Sequence, residues 1–142
     1  MPMPLEYRQA SVDFDAFMQD LVATSMLQTS HQAYTMLQAV LQAFRHRLTV
    51  PQAIAFANVL PPVLRAIFVS DWDAEAPIKR FVSRDELMKE IRAFRHDHNL
   101  STETAIEDVT STIRRHVDPE AFERVLNILP PDARHFWFVG DL

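Results

Sequence analysis

The chain has 142 residues, of which 48% are hydrophobic, and it carries a net charge of −5, no cysteine and one glycine. This length allows one compact core, and the lack of cysteine excludes disulfides, thiolate nucleophiles and Cys-based zinc fingers. The one glycine, Gly140, is two residues from the C-terminus, so no glycine-rich phosphate loop is present, and the acidic balance argues against nucleic-acid binding.

The sequence has no feature of a membrane segment or an export signal. No basic stretch followed by an apolar one begins it, and every apolar run is shorter than the roughly 20 residues that span a bilayer. We therefore expect a soluble, cytoplasmic protein that does not associate with membranes and needs no cofactor.

Residues 1–70 predict a first unit of four helices. The first helix has apolar residues at the spacing of a helix buried on one face: Phe14, Phe17, Met18, Leu21 and Val22. The second, which Thr29 or Ser30 begins, continues this pattern at Ala33, Leu37, Val40, Leu41, Phe44 and Leu48. The third begins at Val50-Pro51 behind Thr49, and the break Leu60-Pro61-Pro62 separates it from a short fourth helix.

A second unit, residues 83–142, follows a connector at residues 71–82 that shows no helical or strand periodicity. Its first helix begins with a predicted capping box, Ser83 and Glu86, and carries Leu87, Met88, Ile91 and Phe94. Its second helix, which Ser101 begins, carries Ile106, Val109, Ile113 and Val117. The third begins at Asp118-Pro119, and a second break, at Leu129-Pro130-Pro131, precedes the last short helix.

The two units align with each other. Asn58–Val69 matches Asn127–Phe138 at an offset of 69 residues, and the apolar positions of the preceding helices stay in register. We interpret the chain as an all-α protein, a tandem duplication of a four-helix unit with about eight helices, packed as one compact helical bundle. Its predicted divisions are a first helical repeat at 1–70, the connector at 71–82 and a second helical repeat at 83–142.

This pattern resembles the bacterial family known as domain of unknown function 2267. The resemblance covers nearly the whole chain and lies in the Phe14–Leu21 helix, the two proline breaks, the connector with Trp72 and Pro77, and the restart at Ser83–Met88. It implies the helical fold and transfers no catalytic residue. Asp132 and Ala133 stand where the first break has an apolar pair, so we expect the two short helices to pack differently.

His96-Asp97-His98 is the densest cluster of metal-ligating residues. A metal site there needs further ligands from other helices, because residues i and i+2 point to different faces of a helix. The alternative is a solvated helix C-terminus, where His and Arg interact favourably with the helix dipole. We favour the second interpretation and keep a metal-binding protein or hydrolase as an alternative.

Two basic sets, Arg45-His46-Arg47 and Arg114-Arg115-His116, end the second helices of the two units. Interaction with the helix dipole explains both sets, although they also fit phosphate or an acidic partner. A helix-turn-helix nucleic-acid binder that uses Arg114 and Arg115 is a further alternative, and the acidic balance argues against it.

Two arginines and a tryptophan stand out in the breaks and the connector. Arg65 and Arg134 share a register in the short helices, where we expect their guanidinium groups to satisfy the carbonyls left open at the proline breaks. Trp72 either packs the connector onto the core or anchors a partner.

The charge is distributed unevenly along the chain. The first 70 residues hold all seven glutamines and four basic and four acidic residues, whereas residues 71–142 hold ten basic and fifteen acidic ones. Depletion of charge is typical of interface cores. We therefore expect a non-enzymatic protein-interaction or regulatory module, whose partner, another protein or a second copy, contacts exposed glutamines of the first unit such as Gln38 and Gln42.

Overall fold

The computed structural model describes residues 3–95, 97, 99 and 101–138, and within them it contains α-helices and no strand. The helices in chain order are α1 (Leu5–Arg8), α2 (Ala10–Ser25), α3 (Ser30–Arg45), α4 (Val50–Ala57), α5 (Pro62–Val69), α6 (Arg84–Ala93), α7 (Ala105–Arg115), α8 (Pro119–Ile128) and α9 (Pro131–Phe136). The all-α prediction is confirmed. The sequence patterns did not predict the four-residue helix α1.

The predicted capping residues begin four of these helices. The side chains of Thr29, Thr49, Ser83 and Asp118 each accept a hydrogen bond from a backbone N–H group of the first turn. The predicted start of α7 at Ser101 is wrong. Both the backbone N–H and the hydroxyl of Ser101 donate to Asn99 Oδ1, which holds this residue in a turn, and α7 begins at Ala105.

The two proline breaks have the same backbone geometry. Pro61 has φ −59° and ψ 158°, Pro130 has φ −57° and ψ 153°, and the proline that follows each of them begins the next helix. Arg65 donates hydrogen bonds to Ala57 O (3.2 Å) and Leu60 O (3.0 Å), as we expected for the first break. The same expectation for Arg134 is wrong, because its side chain is exposed and makes no hydrogen bond to the described carbonyls of the second break.

The two halves, residues 3–70 and 83–138, pack into one core. Helix α2 lies against α7, α3 contacts α6 and α7, and α4 contacts α8, so each half covers the apolar faces of the other. Trp137 is fully buried at the centre of this core, where its ring contacts those of Phe44, Phe56, Phe122 and Phe136. The predicted single bundle is confirmed, while the common origin of the two halves stays a prediction.

An ion cluster centred on Asp20 joins α2 in the first half to α7 in the second. Arg115 donates two hydrogen bonds to the Asp20 carboxylate, and His116 Nε2 lies 2.9 Å from Asp20 Oδ2. The hydrogen bond from Arg115 is the main cause that lowers the pKa of Asp20 to about 2.

A second ion cluster, centred on Glu90, joins α6 to the end of α3. Arg47 Nη1 lies 2.7 Å from Glu90 Oε2, and Lys79 Nζ lies 2.9 Å from Glu90 Oε1. Burial alone would raise the pKa of the Glu90 carboxyl, but the neighbouring His46, Arg47 and Lys79 together lower it well below its usual range. Each half therefore supplies one carboxylate to the cations of the other half.

Candidate functional site

An open cleft of about 1000 Å³ lies between α2, α3 and the turn that follows α6. We call it the α2–α3 cleft. Its volume is at the upper end of the roughly 300–1,000 Å³ that ligand-binding pockets occupy. It is lined by Phe14, Asp15, Met18, Gln19, Ser30, His31, Gln32, Tyr34, Thr35, Arg95 and Asp97.

The floor of the α2–α3 cleft is apolar. Phe14 and Met18 are one helical turn apart on α2, and Tyr34 lies opposite them on α3. Met18 is buried, whereas Phe14 and Tyr34 are partly buried and pack against the core. Thr35 is also buried, and its hydroxyl donates to His31 O. The floor thus offers aromatic and thioether surface with little unsatisfied polarity.

The rim of the α2–α3 cleft carries charged and amide groups. Asp15 and Gln19 are exposed and lie four residues apart on one face of α2. Neither side chain makes a hydrogen bond or ion pair with the rest of the described chain. These two groups are consequently available to a ligand that rests on the floor.

Arg95 is held on the opposite side of the cleft by a constrained turn. Its φ of 46° is in the left-handed region, which is unfavourable for a residue with a Cβ. Asn99 fixes this turn, because its Nδ2 donates to Ile91 O and Phe94 O and so satisfies the carbonyls at the end of α6. The exposed Arg95 guanidinium forms no ion pair with another described residue.

Asp97 is the one predicted metal candidate among the described residues. His96 and His98 fall outside the described residues, and Asp97 lines the cleft. In the part of the chain that the structure describes, no group of three or more His, Cys, Asp or Glu side chains is placed to hold a metal ion. A zinc site requires at least three such protein ligands.

The two predicted basic sets are engaged within the protein. Arg45 is buried and donates to Phe68 O (2.9 Å) and Ser70 O (2.8 Å), and burial lowers the pKa of its guanidinium. Arg114 donates in the same way to Trp137 O at 3.0 Å and 2.6 Å. Arg47 and Arg115 belong to the two ion clusters. The interpretation of both sets as helix-end cations was therefore incomplete, because their arginines also make specific contacts with distant parts of the chain.

None of the predicted interaction residues Gln38, Gln42 and Trp72 is fully exposed. The prediction that Gln42 is exposed is wrong, since the residue is 6% exposed and its Nε2 donates to Ser70 O and Oγ. Gln38 is only partly exposed. Trp72 is partly buried, with the Arg45 guanidinium 5.4 Å from the centre of its ring, so it packs the connector onto the core.

Of the residues that line the α2–α3 cleft, only Asp97 was a site candidate from the sequence. One signal was present: Asp15 and Gln19 flank the apolar positions Phe14 and Met18 at the same four-residue spacing. The contribution of Arg95 depends on how the turn after α6 meets α3, which no local pattern reveals.

The described part of the chain contains no helix that is long and apolar enough to cross a membrane. A search among curated proteins found no match. A family model described as "Uncharacterized conserved protein (DUF2267)" matches residues 14–136, which is most of the chain and includes both proline breaks. The chain therefore belongs to the DUF2267 family of uncharacterized conserved proteins.

Proposed function

We propose that this protein is a non-enzymatic interaction module that binds a short helical segment of a protein in the α2–α3 cleft. The observation that carries the proposal is the combination of an open apolar floor with rim groups of opposite charge, Asp15 and Arg95, that have no ion-pair partner among the described residues. Buried apolar contact supplies affinity at such sites, and rim charges select and orient the partner.

The shape of the site favours a helix over a compact metabolite. Two helices, α2 and α3, form its walls, and an amphipathic helix laid between them contacts both through residues spaced by three and four. The cleft is open rather than enclosed, whereas small-molecule sites bury most of the ligand surface.

The positions of the carboxyl groups with lowered pKa values favour a binding function over catalysis. Asp20 and Glu90, whose pKa values are lowered, belong to the ion clusters that join the halves and do not line the α2–α3 cleft. Ion-pair networks with a structural role perturb pKa values as active sites do. Their position supports a role in holding the bundle together.

The test is selection of helical peptides from a displayed random library against the full chain, followed by affinity measurements on variants. Gln19→Trp fills the cleft from an exposed position of α2, and Lys89→Trp is the matched control at an exposed position of α6, 70 residues further along the chain. We expect the selected peptides to bind wild type and the control equally, and Gln19→Trp at least about tenfold more weakly, a loss of roughly 1.4 kcal/mol.

Either of two results would contradict the proposal. One is a selection that enriches no peptide. The other is a set of peptides whose affinity Gln19→Trp leaves unchanged. Circular dichroism of each variant shows whether the helical fold is retained before the affinities are compared.

A further inference from the structure

The N-terminal segment, residues 3–12, carries a set of apolar side chains that are about half exposed or more. Their exposed fractions are 55% for Met3, 66% for Leu5, 47% for Tyr7 and 67% for Val12, and α1 contains no buried residue. Isolated exposed apolar residues are common, whereas four within ten residues concentrate apolar surface at one end of the molecule.

The segment is weakly held in its present position. Its one ion pair with the described residues joins Glu6 Oε2 to Arg65 Nη2 at 3.7 Å, and these side chains are 49% and 29% exposed, respectively. Such a partly exposed pair contributes about 0–1 kcal/mol. A four-residue helix is also too short to be stable by itself.

The path of the backbone prevents the segment from covering the cleft of its own chain. Gln9 N–H donates to Leu5 O and Asp13 N–H donates to Gln9 O, so α1 runs almost directly into α2. The segment therefore extends beyond the N-terminus of α2, while the α2–α3 cleft begins further along that helix, at Phe14 and Asp15.

We infer that residues 3–12 of one copy dock in the α2–α3 cleft of a second copy, and that the exchange is reciprocal in a symmetric dimer. The inference rests on the proposed function and names the segment that the cleft binds. Each copy offers one apolar segment and one cleft, so a two-fold arrangement satisfies both at once.

The chemistry of the segment matches that of the cleft. Leu5 and Val12, seven residues apart on one face of this nearly continuous helix, supply apolar surface for the floor formed by Phe14, Met18 and Tyr34, whereas Tyr7 points to another face. Next to Tyr7 in the sequence, Glu6 and Arg8 carry charges opposite to those of Arg95 and Asp15 on the rim. Formation of the first contact makes the second one intramolecular, which strengthens two individually modest contacts.

The experiment measures the mass of the full chain by sedimentation velocity and light scattering over a range of concentrations. The segment variant is Leu5→Asp with Val12→Asp, the cleft variant is Gln19→Trp, and the control is Ile54→Asp with Ile128→Asp, at two sites that are 54% and 70% exposed on α4 and α8. All the substituted side chains are outside the core, so the monomer fold is expected to survive.

We expect wild type and the control to form dimers, and the segment and cleft variants each to be monomers. A mixture of the segment and cleft variants retains one intact segment and one intact cleft, so it should form a weak heterodimer. A labelled peptide of residues 1–12 should bind the segment variant, whose cleft is empty, and bind at least about tenfold more weakly when Gln19→Trp is added to that variant.

The inference is overturned if wild type stays monomeric up to about 1 mM, or if its dimer survives both the segment and the cleft substitutions. It is overturned as well if the control disrupts the dimer as strongly as the segment variant does. Foreign peptides that bind the cleft of a monomeric wild-type protein would leave the proposed function standing and remove the second-copy inference alone.

Discussion

Arg115 at the end of α7 holds the Asp20 carboxylate of α2 with two hydrogen bonds, Nε to Oδ2 at 3.0 Å and Nη2 to Oδ1 at 2.9 Å. This two-point contact joins residues 95 positions apart in the sequence. Glu90, which is 70 residues after Asp20, also accepts two hydrogen bonds from one arginine, Arg47. In this pair the second half supplies the carboxylate and the first half supplies the arginine. The two carboxylates thus tie the halves together.

Asp20→Asn should make the free energy of unfolding depend less on pH below about pH 4. The pKa of Asp20 is lowered from 3.8 to about 2 in the folded chain, so its contribution is complete above about pH 4 and is lost as the pH falls toward 2. At neutral pH we expect a loss of about 1 kcal/mol, less than the full pKa shift implies, because the pair is partly exposed to water. Urea unfolding between pH 2 and pH 7 measures this.

Asp13→Asn is the control for that experiment. Asp13 is an exposed residue of the same helix that forms no ion pair with the described residues. The Asp13→Asn variant should lose stability at acid pH as wild type does. An Asp20→Asn protein with the same pH dependence as wild type would show that the Arg115 pair contributes no net stability.

Glu90→Gln should destabilise the fold by about 2 kcal/mol at neutral pH, since it leaves the Arg47 guanidinium without its counter-charge while the side chain is only 3% exposed. Lys79→Met removes a second cation from the same carboxylate, but the Lys79 side chain is 51% exposed, so we expect a loss below about 1 kcal/mol. Urea unfolding at pH 7 measures both. Equal losses for the two variants would mean that burial of Arg47 does not govern the energy of this cluster.

Trp137→Ala should cost about 3–5 kcal/mol, because it leaves a cavity among four phenylalanine rings at the centre of the core. Trp137→Phe should cost much less. The indole Nε1 has no acceptor among the described residues, so Phe loses no hydrogen bond and removes a buried unpaired donor. Thermal unfolding compares the two variants, and fluorescence of Trp137→Phe should report the partly buried Trp72 alone. Similar losses for both variants would contradict this account.

The apolar periodicity predicted the core because burial of a helix face depends on local spacing. Phe17, Leu21, Phe44, Ile91 and Ile113 were all placed on core-facing stripes, and all are buried. Proline geometry is local as well, which is why both breaks were found.

Polar residues were predicted less well because their environment is set by distant parts of the chain. From the sequence, Gln42 and Arg45 look like exposed helix residues. Both are buried, and both donate a hydrogen bond to Ser70 O. The α2–α3 cleft was missed for the same reason, since Asp15 and Arg95 are far apart in the sequence and line one cleft only in the folded chain.

Arg65 and Arg134 occupy the same position after the two proline breaks, but only Arg65 donates hydrogen bonds to the described carbonyls of its break. Arg65→Met should destabilise the protein by about 1–2 kcal/mol, because Leu60 O loses its charged donor and Ala57 O keeps only the hydrogen bond from Leu60 N–H. Arg134→Met should change stability by less than about 0.5 kcal/mol, as expected for a surface substitution. Methionine keeps most of the aliphatic length of arginine, so the difference reports the hydrogen bonds of Arg65 together with its partly exposed ion pair to Glu6. Parallel urea unfolding curves give the two values, and equal losses would show that the carbonyls at the first break are satisfied as well by water as by Arg65.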